Sequence, residues 1–81
     1  MNDFSYQIWQ NLSTTPARFI RIEKVRGIDG KHEYLVTAYY QNDIPVISWK
    51  YSGYYAKVIV DNYAMNLFAS GWSLFARKED E

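Results

Sequence analysis

Three runs of alternating residues, separated by two short turn signals, constrain this 81-residue chain more than any other feature. Residues 18–26 (RFIRIEKVR), 32–41 (HEYLVTAYYQ) and 46–51 (VISWKY) repeat branched and aromatic side chains with the two-residue period of a strand. Gly27-Ile28-Asp29-Gly30 separates the first two. Asp-Gly is favoured in a two-residue hairpin turn, where both central positions need positive φ. Asn42-Asp43 turns the chain again, and Pro45, lacking an N–H, suits the first residue of a strand. The pattern predicts an antiparallel three-stranded meander.

The flanks carry other periods. Phe4, Ile8 and Leu12 lie four apart with Asp3 available as a cap, which predicts a short helix over residues 3–12. Phe4, Tyr6 and Ile8 also alternate, so a strand is the competing reading there. Ser13-Thr14-Thr15-Pro16 ends the element either way, because residues before proline avoid helical geometry. From Ala56 the apolar positions Ala56, Ile59, Val60, Tyr63, Ala64, Leu67 and Phe68 follow the three-four spacing of a helix. Ser52 is its expected N-cap, and Ser70-Gly71 its expected end. WSLFARK, residues 72–78, alternates as a fourth strand. The competing reading continues the helix through Gly71 to Leu74 and Phe75.

The expected fold class is α+β in one small domain, residues 1–81. It comprises the meander, a fourth C-terminal strand, a short N-terminal helix and one main helix packed on one sheet face. Glu79, Asp80 and Glu81 read as a frayed acidic tail. The order helix, three strands, helix over residues 3–69 is similar to the architecture of double-stranded-RNA-binding domains. Those domains carry a basic cluster at the start of their second helix. Here that stretch reads Ser52-Gly53-Tyr54-Tyr55-Ala56-Lys57, with a single lysine, so the resemblance implies an architecture and no activity.

Composition narrows the function classes. With no cysteine, the chain has no disulfide, no thiolate metal site and no thiol nucleophile. Its stability must come from a core, and three Trp, eight Tyr and four Phe supply large side chains for one. No stretch approaches the ~20 apolar residues of a membrane span. No basic region followed by an apolar run opens the chain. The reading is a small cytoplasmic protein. The nine Lys and Arg balance the nine Asp and Glu. Without the acidic tail the body is net positive, and Arg18, Arg21, Lys24, Arg26 and Lys31 cluster on the first strand and hairpin.

Catalytic signals are weak. Asp29, His32 and Glu33 gather at the first hairpin, but adjacent residues 32 and 33 point to opposite faces of a strand. Phosphate-loop, dinucleotide, zinc-protease and nucleophile-elbow motifs are absent. The chain reads as non-catalytic, with no cofactor and no metal.

Two-residue turns at Asp29-Gly30 and Asn42-Asp43 would fix the register. One face then carries Phe19, Val36, Trp49 and Tyr51 among others, and is the one expected under the helices. The other gathers Ile20, Ile22, Leu35, Tyr39 and Val46, rimmed by Lys24, Arg26 and Lys50. An apolar centre with a charged rim is the anatomy of an interface. These eight residues are the expected partner-binding set. The corresponding function is a small protein-binding module, acting as inhibitor, adaptor or regulatory subunit, as small phage- and mobile-element-encoded proteins often do. Two alternatives stand beside it. One is nucleic-acid binding through Arg18, Arg21, Lys24, Arg26, Lys31, Tyr39 and Trp49. The other is a homodimer that uses the same patch on itself.

Overall fold

The computed structural model describes residues 4–26, 32–41 and 45–79. The elements run β1 (Phe4–Asn11), β2 (Arg18–Arg26), β3 (His32–Tyr40), β4 (Pro45–Tyr51), α1 (Ala56–Ala69) and β5 (Ser73–Glu79). All strand pairs are antiparallel, in the order β4-β3-β2-β1-β5. The meander, the main helix and the C-terminal strand stand as expected.

The N-terminal segment is a strand and not a helix. Its place is between β2 and β5, where both ladders satisfy its backbone. Alternation won over the four-residue spacing: Gln7 and Trp9 are buried, whereas Leu12, the last member of that spacing, is 67% exposed. The likeness to double-stranded-RNA-binding domains ends with that helix.

The second correction concerns register. Phe19 pairs with Tyr39, Ile22 with Val36 and Arg26 with His32. A two-residue turn at Asp29-Gly30 would have placed Phe19 opposite Tyr40. The structure is one residue out of that register, with residues 27–31 as the connection; the turn itself lies outside the described residues. Because side chains alternate, this single step moves every residue of β2 to the opposite face from the one expected. The β3–β4 pairing follows the expected register from Tyr34–Tyr51 to Ala38–Ile47 and shifts at Tyr39–Pro45. Asn42 and Asp43 also lie outside the described residues.

One sheet face therefore presents Trp9, Ile20, Ile22, Tyr34 and Val36 to α1, which adds Ala56, Val60 and Leu67. Phe4 joins them from the start of β1, its ring 5.9 Å from that of Tyr34. The polar Gln7 is tolerated in this core because the Trp9 indole N–H donates to its Oε1 at 3.0 Å. No buried side-chain nitrogen or oxygen among the described residues lacks a partner.

Ser52 is not the helix cap. Tyr55 occupies that position and its side chain makes no capping bond. Gly53, at φ +96°, bends the chain into the first turn, where the Ala56 N–H donates to its carbonyl at 3.2 Å. The other end follows expectation. Gly71 takes φ +91°, its N–H donates to Phe68 O, and the Trp72 N–H donates to Leu67 O at 3.0 Å. These two bonds satisfy carbonyls of the last turn and leave Trp72 packed against the core. The reversal sends β5 back along β1. Glu79, expected in a frayed tail, closes β5 and binds Arg77 at 2.7 Å.

Candidate functional site: the open sheet face

A single helix covers one side of five strands. Among the described residues, no element lies over the other side. Phe19, Arg21 and Glu23 of β2 stand there beside Leu35, Thr37 and Tyr39 of β3, with Ser48 and Lys50 of β4 beyond them. The rings of Phe19 and Tyr39 stack across the ladder, 5.4 Å apart and 15° from parallel. Phe75 completes the cluster edge-on to Phe19, at 5.9 Å.

Phe75 owes its place to an irregularity. Ile8 pairs with Ala76 but Trp9 pairs with Leu74, so residue 75 is the extra member of a bulge. The bulge aims its ring at Phe19, and it remains 60% exposed.

The charges of this face are largely matched. Arg21 Nε lies 2.9 Å from Glu23 Oε1, and Lys50 Nζ lies 3.2 Å from Glu33 Oε2. The Arg21 guanidinium also sits 6.0 Å from the Tyr39 ring centroid. Thr37 and Ser48 bring their hydroxyls to 3.4 Å on the neighbouring pair of strands. The centre is thus aromatic and its rim carries neutralised ion pairs.

The expected partner-binding residues divide between the two faces. Leu35, Tyr39 and Lys50 are on the open face. Ile20 and Ile22 are core residues beneath α1, 6% and 0% exposed. This is the direct consequence of the shifted β2 register. Lys24 and Arg26 lie on the helix side of β2 with them. Val46, exposed at the start of β4, borders a shallow depression of about 100 Å³ shared with Tyr39, Ile47 and Trp72.

The nucleic-acid set also separates. Arg18 lies over the Trp72 ring at 5.7 Å, on the helix side, while Arg21 is on the open face. Trp49 is half-buried and meets Tyr63 of α1 edge-on at 6.0 Å. Lys31 lies outside the described residues. The clustered cations of β2 therefore do not form one surface.

Among the described residues, no group of three His, Cys, Asp or Glu converges. His32 is exposed at the start of β3, Glu33 is engaged by Lys50, and Asp29 lies outside the described residues. Burial raises the pKa of the Tyr63 phenol above its ordinary value, the nearby Tyr51 raises it further, and Arg18 opposes both.

Two groups of residues were missed by sequence reasoning. Phe19 and Phe75 join Tyr39 only once the register and the bulge are known. Val58 and Met65 sit outside the three-four stripe of α1, and their apolar character was the available signal. Comparison with family models, curated proteins and solved structures finds no match to this chain.

Proposed function

We propose that this chain is a small non-catalytic protein-binding module, an inhibitor, adaptor or regulatory subunit, that docks through its open sheet face. The observation that carries the reading is the Phe19–Tyr39–Phe75 cluster on a face that, among the described residues, no other element covers. Aromatic side chains supply large contact area at low conformational cost, and they dominate the energetically decisive centres of protein interfaces. The surrounding ion pairs set orientation and approach and add little to affinity. Leu35 and Tyr39 retain their expected roles. Phe19 and Phe75 take the place of Ile20 and Ile22.

Nucleic-acid binding is the second reading, and the Arg21–Tyr39 contact favours it, since stacked rings beside a guanidinium suit an unpaired base. The pairing of Arg21 and Lys50 with carboxylates ranks it lower, because phosphate binding needs cations that release counterions.

The test is affinity capture from cells that express the chain, with and without nuclease, using wild type, Tyr39→Ala and Phe75→Asp. The reading expects one stoichiometric protein that survives nuclease, is retained by wild type and is lost with both variants. Retention by both variants would remove the open face from the account. A captured species that disappears on nuclease treatment would promote the nucleic-acid reading.

A further inference from the structure

Arg18, at the start of β2, carries a charge that no described carboxylate answers. Arg21, Lys50, Lys57 and Arg77 each face a carboxylate at 3.2 Å or less. The Arg18 guanidinium instead lies over the Trp72 indole, 5.7 Å from the ring centroid. A ring face attracts the cation without neutralising it, and it leaves the in-plane N–H donors to other acceptors. The carbonyls that end α1 are not those acceptors, because the N–H groups of Ser70, Gly71 and Trp72 serve Asn66, Phe68 and Leu67.

The register builds a recess around that charge. Arg18 pairs with Tyr40, Ile20 with Ala38, and Ala38 with Ile47, so these side chains stand in adjacent rows on the helix side of the sheet. α1 ends at Ala69 and contributes nothing to the lining. Gly71, at φ +91°, reverses the chain there, and Trp72 supplies a wall instead. The result is a depression of about 100 Å³ in which Arg18 is the one charged residue. Ile20, Ala38 and Ile47 give it apolar surface. The Tyr40 hydroxyl and the Trp72 indole N–H form no hydrogen bond with another described residue, so both can donate to a bound group.

Those properties select the ligand. A single unpaired guanidinium above apolar walls suits one negative charge on a small apolar body. An apolar cavity of about 150 Å³ holds a benzene ring, so the present volume takes a carboxylate with about three or four carbons. Phosphate fits less well, since its second charge meets no second cation and the apolar walls meet no carbon.

We propose that this recess binds a short aliphatic monocarboxylate, its carboxylate on Arg18 and its carbons against Ile20, Ala38 and Ile47. Two sources share that chemistry: a free short-chain acid, and the carboxy-terminal residue of a polypeptide with a small aliphatic side chain. The site rests on Arg18 and the helix side of the sheet, and it does not depend on the docking proposed above.

Titration of the isotope-labelled chain with isobutyrate, followed by amide and indole NMR shifts, tests the proposal. Isobutyramide is the uncharged control, and acetyl-glycyl-valine is the chain-terminus probe. Isobutyrate is expected to shift the Trp72 indole and the Ala38 and Ile47 amides saturably, with a dissociation constant of about 1 mM. Arg18→Gln is expected to weaken binding by about 10- to 100-fold. Arg21→Gln, on the open face, is expected to leave it unchanged. Should Arg18→Gln disturb the fold, Ile47→Glu decides in its place, since that position is 58% exposed and the introduced carboxylate would occupy Arg18. Tighter binding of acetyl-glycyl-valine than of isobutyrate assigns the site to a chain terminus, and the reverse order assigns it to a free acid. Shifts that do not saturate overturn the proposal. So does equal binding of isobutyramide, tighter binding of inorganic phosphate, or binding that survives the Arg18 and Ile47 variants.

Discussion

Ile22→Ala tests the register on which the open face depends. Ile22 is fully buried, paired with Gln7 on one side and Val36 on the other, beneath α1. Truncating a buried Ile to Ala costs about 2–5 kcal/mol, from lost transfer energy and the cavity left behind. Domains hold about 0.05–0.15 kcal/mol of stability per residue, or roughly 4–12 kcal/mol for a chain of this length. A loss of about 3 kcal/mol is therefore a quarter or more of the total. With an unfolding entropy of about 2.1 cal/mol/K per residue, the same loss lowers Tm by about 18 °C. Arg21→Ala is the matched control. Adjacent to Ile22 in sequence, Arg21 projects to the open face, its side chain is 44% exposed, and its pairing with Glu23 is of the surface kind worth about 0.2–1 kcal/mol. Urea and thermal unfolding followed by circular dichroism, at one fixed chain concentration because association shifts midpoints, give both values. In the register expected from a two-residue Asp29-Gly30 turn, Ile22 would stand on the face away from α1 and its loss would be small. An Ile22→Ala cost no larger than that of Arg21→Ala refutes the face assignment.

Other outcomes follow from the same geometry. Gly71→Ala is expected to destabilise by about 1–2 kcal/mol, because a Cβ there has open space but an unfavourable left-handed backbone; a neutral Tm would contradict the role given to the helix end. The raised pKa of Tyr63 means that the folded state keeps the neutral phenol to higher pH than the unfolded chain does. The stability linked to it is fully present below the unfolded value of about 10 and is lost as pH rises through the folded value. Tyr63→Phe is expected to flatten this alkaline loss in urea midpoints, and unchanged alkaline slopes would count against the burial of that hydroxyl. Leu35→Asp, on the open face between Glu23 and Lys50, is expected to weaken partner capture; capture equal to that of wild type would remove Leu35 from the docking surface.

The meander, α1 and β5 were legible because each has a strong local period and a glycine or proline boundary. Gly71 marked the end of α1, and residues 72–78 read as a strand, with a helix continued through Gly71 as the competing reading. Residues 4–11 satisfied two periods at once. Sequence alone does not say that β2 and β5 both need a neighbour there, and that tertiary demand decided for the strand. The face assignment failed for a different reason. A hairpin's register depends on how many residues its connection uses, and the Asp-Gly signal names a turn without counting them. One residue of difference carried Ile20 and Ile22 from the expected docking patch into the core. It brought Phe19 out to Tyr39 in exchange. Phe75 depended on a bulge, which no periodicity reports. The open face carries Leu35 and Tyr39 of the expected patch together with Phe19 and Phe75, which the expected patch did not include.

Hydroxyl-radical footprinting of the chain alone and bound to its captured partner is the most direct measurement of the central claim. The account predicts that oxidation of Phe19, Tyr39 and Phe75 falls on binding, while Met65 and Phe68 keep the values they have in the unbound protein. Unchanged oxidation of the three open-face aromatics, with new protection at Val46 and Ile47 or on α1, would contradict it.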